Sequence, residues 1–172
     1  IDKRGIGKSV AASPEESDLR FETYVYDVIE WIRYLRAAEG YGNVFVLGHS
    51  EGALVGLLAV QKEQVDGYIS VAGAARPASK LILEQVRSKV PPDLLTQTEN
   101  ILKQLDEGHQ VRDTPAALNT LFRSSVQPYL ISWFKYDPSK EVAKVSSPVL
   151  IIQGSTDIQV SISDAETLHK NK

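Results

Sequence analysis

The chain has 172 residues, which suits one ordinary domain, and its 42% hydrophobic and 24% charged residues are typical of a globular protein. Its net charge of -3 gives no electrostatic reason to expect nucleic acid or an anionic membrane as a partner. The absence of cysteine excludes disulfides, thiol catalysis and thiolate metal sites. No apolar run approaches the ~18 residues of a membrane span, and no signal peptide is visible. The compartment and the oligomeric state stay open.

The first third of the chain alternates between a loop, a helix and a strand. Residues 2–17 are glycine-rich and polar, which predicts a loop. Apolar residues at helical spacing predict a helix over 21–35 that ends by Gly40. The short apolar run over 44–47 is typical of a strand buried in a parallel sheet.

Two further strands, over 68–72 and 148–153, indicate more of the same sheet. A small aliphatic helix over 52–61 separates the first two strands, and another helix begins at 163. The connection between the second and third strands is about 75 residues long, far more than one crossover helix needs. It therefore predicts an inserted helical segment. Four helices are predicted within it, over 78–90, 93–105, 116–122 and 127–134.

The string Gly48-His49-Ser50-Glu51-Gly52 follows the first predicted strand and opens the next predicted helix. A G-x-S-x-G motif in that position is typical of a nucleophile elbow, a tight turn that strains the serine backbone and exposes its hydroxyl above the sheet. The two glycines are expected where a Cβ would clash with neighbouring backbone. We therefore predict that Ser50 is a nucleophile with positive φ. The competing interpretation is a helix-capping serine beside incidental glycines.

Three landmarks resemble, in order, those of the α/β-hydrolase superfamily, especially bacterial members near the serine aminopeptidase and monoglyceride-lipase group. Residues 2–9 resemble the D-x-R-G-x-G-x-S loop after the family's strand 4. Residues 48–52 resemble the elbow after strand 5, and 154–157 resemble the loop after strand 7 that carries the triad acid. The resemblance covers nearly the whole chain.

The resemblance implies an α/β fold: a mainly parallel sheet flanked by helices, with a helical cap inserted over the carboxyl edge of the sheet. The hydrolase core is expected over 1–75 and 136–172. The cap is expected over 76–135, where the family places its insertion.

Asp157 is the candidate triad acid. It follows the third strand and a turn glycine, which places it at the carboxyl end of the sheet, level with Ser50. There it would orient a histidine and stabilise its imidazolium form, although an aspartate in a polar turn is the simpler alternative. The backbone N–H of Glu51 is the expected first oxyanion donor. The second donor is expected from a segment upstream of Ile1.

None of the three histidines is expected to be the catalytic base. His49 is interpreted as a packed, hydrogen-bonded residue, because the elbow would turn it inward. His109 is interpreted as a solvated loop residue. His169 follows Asp157 by 12 positions, inside the helix that precedes the strand expected to carry the base. The spacing of the three matches no metal motif.

Two other patterns have simpler explanations. Gly7-Lys8-Ser9 imitates the end of a phosphate-binding loop, but the position of that motif's first glycine is Asp2, whose carboxylate would repel a polyphosphate. The loop is instead expected to be a tight turn that Gly5 and Gly7 allow, with local pairing of Asp2 and Arg4. Aromatic residues late in the insertion could line an acyl pocket, although they more often form the core of the insertion itself. These are Phe122, Tyr129, Trp133, Phe134 and Tyr136.

The predicted function is hydrolysis of an ester, or a related acyl compound, by a Ser-His-Asp triad through an acyl-enzyme intermediate. The substrate is expected to be a small acyl molecule, with no organic cofactor and no metal. A serine aminopeptidase would use the same residues. A non-catalytic binding scaffold is the alternative from another class.

The 172 residues are expected to be part of a longer protein. In the family the base follows the acid by about 25–35 residues, after a helix and a strand. The strand near 44–47 is expected to show an unpaired hydrophobic edge, because the family's strand 3 would pair with it. This piece alone is therefore expected to be inactive as a hydrolase.

Overall fold

A computed structural model describes residues 1–12, 15–38 and 40–172. Contacts divide the chain into two compact units. One consists of Ile1–Tyr24 and Ile82–Lys135, and the other of Val25–Leu81 and Tyr136–Lys172. The division into core and cap at residues 76 and 135 stays a prediction.

The elements follow the predicted order of helices and strands. In chain order they are α1 (Phe21–Ala37), β1 (Phe45–His49), α2 (Glu51–Lys62), β2 (Gly67–Val71), α3 (Ala78–Arg87), α4 (Pro92–Asp106), α5 (Asn119–Phe122), α6 (Gln127–Phe134), α7 (Pro138–Glu141), β3 (Val149–Ile152) and α8 (Ile162–Asn171). Short 3-10 helices span Gly7–Ala12, Glu16–Asp18, Ala116–Leu118 and Val142–Lys144. The 3-10 turns near the amino terminus and the short helix α7 were not predicted.

The three strands form one parallel sheet in the order β1-β2-β3. Gly48 lies opposite Ser70, and His49 lies opposite Val71. Val71 in turn lies opposite Ile152. The strand predicted over 44–47 is therefore real but extends to His49, because its last two residues still pair with β2. The carboxyl ends of all three strands meet at one edge, and this edge carries the candidate site.

Helix α2 covers one face of this sheet. Its residues from Ala53 to Val60 are all buried, since small and aliphatic side chains allow it to lie close to the strands. The buried hydroxyl of Tyr68 donates to the carbonyl oxygen of Ala53 at 2.5 Å, which ties β2 to the first turns of α2. Helix α8 lies against β3 and α7.

The opposite face of the sheet is apolar and open among the residues that the structure describes. Side chains alternate between the faces of a strand, so this face carries every second residue of β1 and β3. Phe45 and Leu47 of β1 are 57% and 62% exposed, and Leu150 and Ile152 of β3 are 53% and 45% exposed. The predicted unpaired hydrophobic edge at β1 is confirmed for the described residues.

In the other unit, Tyr129 and Trp133 of the insertion pack against each other and against Phe21 at the start of α1. Phe21 stacks on Trp133 with ring centroids 5.7 Å apart and planes 3° apart. The backbone N–H of Phe21 donates to the Ser132 hydroxyl at 2.7 Å. Phe122 is fully buried. These contacts are those of a structural core, the simpler of the two sequence-based explanations.

Candidate active site

Ser50 occupies the turn between β1 and α2 with a strained backbone. Its φ is 54° and its ψ is -120°, and one other described residue outside glycine, Ala72, has a positive φ. The Ser50 N–H donates to the Val71 carbonyl at 2.9 Å, which holds the turn against β2. The Ser50 side chain makes no capping hydrogen bond to α2. The predicted positive φ is therefore confirmed, and the interpretation of Ser50 as a capping serine is not.

The two glycines of the motif differ in what surrounds them. A Cβ at Gly48 would lie 2.2 Å from the Gly52 carbonyl oxygen and 2.6 Å from the Cα of Ala53. Since both atoms belong to the backbone, Gly48 is required for the close approach of β1 and α2. A Cβ at Gly52 would meet no described heavy atom within 4 Å. The expected close contact at Gly52 was wrong, because that position faces open space at the start of the helix.

Ala72 forms a second strained turn beside the first. It follows β2 directly, its φ is 49°, and its N–H donates to the Ile152 carbonyl at 2.9 Å. A positive φ costs a residue with a Cβ about 1 kcal/mol or more. The preceding residue, Val71, accepts the hydrogen bond from Ser50. The two strained residues therefore follow neighbouring strands at the same edge, and nothing in the alanine residue type predicted the second.

Glu51 is the first residue of α2 and follows Ser50 directly. Its N–H therefore belongs to the first turn of a helix, where N–H groups point toward the site and the helix dipole favours negative charge. This is the position expected of an oxyanion donor. The role of Glu51 stays a prediction.

Asp157 lies in the loop that follows β3, at the same edge of the sheet as Ser50. Its Oδ1 accepts the backbone N–H groups of Gln159 at 2.8 Å and Val160 at 3.1 Å. Its Oδ2 accepts from the Gln153 amide at 3.2 Å. These hydrogen bonds, the two backbone ones above all, hold the pKa of the Asp157 carboxyl below its usual value, and the charge of His49 acts in the same direction. Asp157 is therefore a fixed carboxylate at neutral pH.

His49 is exposed, so its interpretation as a packed residue was wrong. It continues the alternation of β1, in which Phe45 and Leu47 point to the open face of the sheet. Its position at the carboxyl end of β1 explains why its charge acts on Asp157. His109 is exposed, as predicted, with its imidazole 72% accessible.

His169 lies on the exposed side of α8, which leads away from the site. The Lys172 ammonium at the end of α8 donates to the Val145 carbonyl at 2.9 Å, and Val145 precedes β3. His169 is about 12 Å along the helix axis from Ser161, at ~1.5 Å per residue. The helix therefore carries His169 toward the amino edge of the sheet, whereas Ser50 lies at the carboxyl edge.

A buried ion pair ties the loop after β2 to the start of α8. The Asp164 side chain is 1% exposed and accepts from the Arg76 guanidinium at 2.8 Å. It also accepts the Ala75 N–H at 3.0 Å and the Ser161 N–H at 3.1 Å. Burial alone raises the pKa of Asp164, but the hydrogen bonds from Arg76, Ala75 and Ser161 outweigh it, and the net pKa lies below the usual value. This carboxylate was not predicted, because its partner is 88 residues away in the sequence.

We expect Asp164→Asn to lower the free energy of unfolding by about 1–3 kcal/mol at pH 7, because it removes the buried charge that the Arg76, Ala75 and Ser161 donors stabilise. Because the pKa of Asp164 is lower in the folded protein than in the unfolded one, its ionised form adds stability at pH values above the unfolded pKa of about 4. This contribution disappears as the pH falls through the folded pKa. The difference between variant and wild type should therefore shrink at pH 3. Urea unfolding at both pH values measures it.

The control for this ion pair is Glu30→Gln, which removes one of the two carboxylate partners of Arg33, in a pair whose side chains are 69% and 57% exposed. Such an exposed pair should contribute less than about 1 kcal/mol. Equal stabilities of Asp164→Asn and Glu30→Gln at pH 7 would show that the buried pair does not hold these loops.

The remaining patterns do not form a second site. The Asp2 carboxylate accepts the Lys8 N–H at 2.9 Å. In the segment Gly7-Lys8-Ser9, which imitates a phosphate-binding loop, this backbone amide is therefore hydrogen-bonded within the loop itself. Among the residues that the structure describes, no three His, Cys, Asp or Glu side chains are grouped to hold a metal ion. None of the described helices is both long and apolar enough to cross a membrane.

Comparison with known proteins identifies the family of this chain. The model of the serine aminopeptidase S33 family (Hydrolase_4) matches residues 1–171. The chain belongs to this family. This chain is 25% identical over 142 residues to esterase EstD of Thermotoga maritima, and the match covers 83% of this chain and 34% of EstD. The chain therefore spans about a third of this curated relative.

Solved structures show that the fold of this family member is that of the α/β hydrolases. An alpha/beta fold family hydrolase from Bacillus anthracis matches 98% of this chain and 68% of its own, with a TM-score of 0.60 and 17% identity. A lipase-esterase related protein from Clostridium acetobutylicum matches 97% of this chain and 67% of its own, with a TM-score of 0.57 and 19% identity. The predicted fold class and family resemblance are confirmed.

Proposed function

We propose that the whole protein is a serine hydrolase that cleaves carboxylic esters, with Ser50 as its nucleophile. The observation that carries the proposal is the strained backbone of Ser50, with φ at 54°, at the junction of β1 and α2. Strain of this kind costs about 1–3 kcal/mol, and strained residues cluster at active sites. The Ser50 hydroxyl is not used to cap α2. Structural stability alone therefore does not account for a serine here.

In the proposed reaction, the Ser50 hydroxyl attacks the carbonyl carbon of the ester while a histidine takes its proton. The backbone N–H of Glu51 stabilises the oxyanion, aided by its place in the first turn of α2. Collapse of the tetrahedral intermediate releases the alcohol, which takes the proton from the histidine. Water then attacks the acyl-enzyme while the histidine takes its proton, and the carboxylic acid leaves as that proton returns to Ser50. His169 is not assigned to this step, because it lies toward the other edge of the sheet.

Asp157 is proposed as the triad acid. Its role requires a carboxylate that stays ionised and keeps one orientation, since it must hold the histidine tautomer and stabilise the imidazolium. The lowered pKa of Asp157 and its hydrogen bonds to Gln159 and Val160 meet both requirements. The simpler alternative, an aspartate that only stabilises its own turn, would use the same two backbone hydrogen bonds.

Esters are preferred over peptides as the substrate class because the curated relative EstD is named an esterase. The description of the family as serine aminopeptidases favours aminoacyl amides as the second candidate. Both reactions would use the same nucleophile and the same acid. The distinction therefore depends on the substrate pocket.

The test uses the protein expressed from its complete reading frame with a panel of p-nitrophenyl esters of increasing acyl length and of aminoacyl p-nitroanilides. We expect turnover of the esters, and loss of that turnover in Ser50→Ala. Faster turnover of the anilides would show that the protein is a peptidase rather than an esterase. Turnover of neither class would favour a binding scaffold.

A further inference from the structure

Gln153 connects the end of β3 to the loop that carries Asp157. Its side-chain Nε2 donates to Asp157 Oδ2 at 3.2 Å and to the Val160 carbonyl oxygen at 2.8 Å. The bond to the Val160 carbonyl is the shorter of the two. The side chain therefore joins both ends of the turn 157–160.

The orientation of the Gln153 amide follows from its neighbours. Both groups that face Nε2 are acceptors, so the opposite orientation would place Oε1 against a carboxylate and a carbonyl. In the favoured orientation, Oε1 is buried and has no hydrogen-bond partner among the described residues. A buried amide oxygen without a partner costs about 1–3 kcal/mol.

The two oxygens of Asp157 are held in different ways. Oδ1 accepts two backbone N–H groups, from Gln159 and Val160. Oδ2 accepts one donor, from Gln153. A carboxylate oxygen accepts about two hydrogen bonds, so Oδ2 keeps capacity for an imidazole N–H. The two backbone N–H groups hold the Oδ1 side of the carboxylate, and the Gln153 amide is the described donor on the Oδ2 side, where the histidine N–H would arrive.

We propose that Gln153 is the positioning residue of the catalytic acid: its amide holds Asp157 Oδ2 in the direction that receives the histidine N–H. This inference rests on the proposed function, since it assigns Asp157 to the triad. Gln153 touches neither substrate nor nucleophile in this account and acts only through Asp157. Neither the family motif nor the loop glycine, Gly154, identifies this role.

Two substitutions separate positioning from packing. Gln153→Met keeps the length of the side chain but removes both donated hydrogen bonds. Gln153→Glu places a second carboxylate at the position of the donor, about 3 Å from Asp157, where like charges raise the pKa of one group. We expect kcat for the ester to fall about tenfold in Gln153→Met and about 100-fold in Gln153→Glu at pH 7, with KM within about twofold of wild type.

The direct readout is the pKa of Asp157, measured by 13C NMR of carboxyl-labelled aspartate, with the Asp157→Asn spectrum as the assignment. We expect the pKa of Asp157 to rise in Gln153→Met because a hydrogen bond to its charged form is lost, and to rise further in Gln153→Glu. The charge of His49, at the end of β1, also lowers the pKa of Asp157, and both variants retain His49.

The matched control is Gln64→Met, at an exposed glutamine in the loop between α2 and β2. It should leave the pKa of Asp157 and kcat unchanged. An unchanged pKa and kcat in Gln153→Met would overturn the inference while leaving the esterase proposal intact. If the pKa moves but the wild type hydrolyses no ester, the hydrogen bond stands and the catalytic positioning role is refuted with the proposed function.

Discussion

Asp157→Asn is expected to lower kcat for ester hydrolysis by about 10^4-fold, with a change in KM of less than about threefold. The Asn oxygen can still accept the N–H groups of Gln159 and Val160, so the turn should keep its shape. The Asn amide cannot accept a histidine N–H at the second position, and it carries no charge to stabilise the imidazolium. Initial rates with a p-nitrophenyl ester at pH 7 measure the effect.

The control for this substitution is Asp113→Asn, at an exposed aspartate of the insertion. It should leave kcat unchanged. A loss of less than tenfold in Asp157→Asn, in a protein whose Ser50→Ala variant is inactive, would show that Asp157 only stabilises its own turn. The triad acid would then have to be another residue.

Gly48→Ala is expected to lower the free energy of unfolding by about 3 kcal/mol, the upper part of the range for overpacked sites. The new Cβ would lie 2.2 Å from the Gly52 carbonyl oxygen and 2.6 Å from the Cα of Ala53. Neither backbone atom can rotate away, so β1 and α2 must separate. Urea unfolding followed by circular dichroism measures the loss, and insoluble expression would be its extreme form.

Gly52→Ala is the matched control, because it adds the same methyl group four residues along the same motif. No described heavy atom lies within 4 Å of the added Cβ, and alanine is favoured over glycine in a helix by about 1 kcal/mol. Its stability should equal or exceed that of the wild type. Equal destabilisation by both substitutions would contradict the close approach described at Gly48.

The parts of the site that could be predicted from the sequence are those that depend on neighbouring residues. The turn at Ser50 requires a strand, a sharp reversal and a helix within a few residues, and each has a local pattern in 44–61. Asp157 could be placed at the same edge because parallel strands bring their carboxyl ends together. Asp157 also lies in the same loop as Gly154, so this part of the pattern is equally local in the sequence.

The contacts that could not be predicted depend on how distant segments pack. The positive φ of Ala72 has no signal in the residue type, because alanine is not a turn residue. Asp164 meets Arg76 across 88 residues of sequence. His49 was assigned to the interior because the elbow was expected to turn it inward, whereas the alternation along β1 places it on the open face.

The central claim is that Ser50 is the nucleophile, and fluorophosphonate labelling tests it most directly. The protein from its complete reading frame is incubated with the probe beside its Ser50→Ala variant, and the labelled peptides are mapped by mass spectrometry. We predict one adduct on Ser50 in the wild type and none in Ser50→Ala, at equal protein concentration and with both variants folded. Equal labelling of the two proteins, or an adduct on any other residue, would contradict the account.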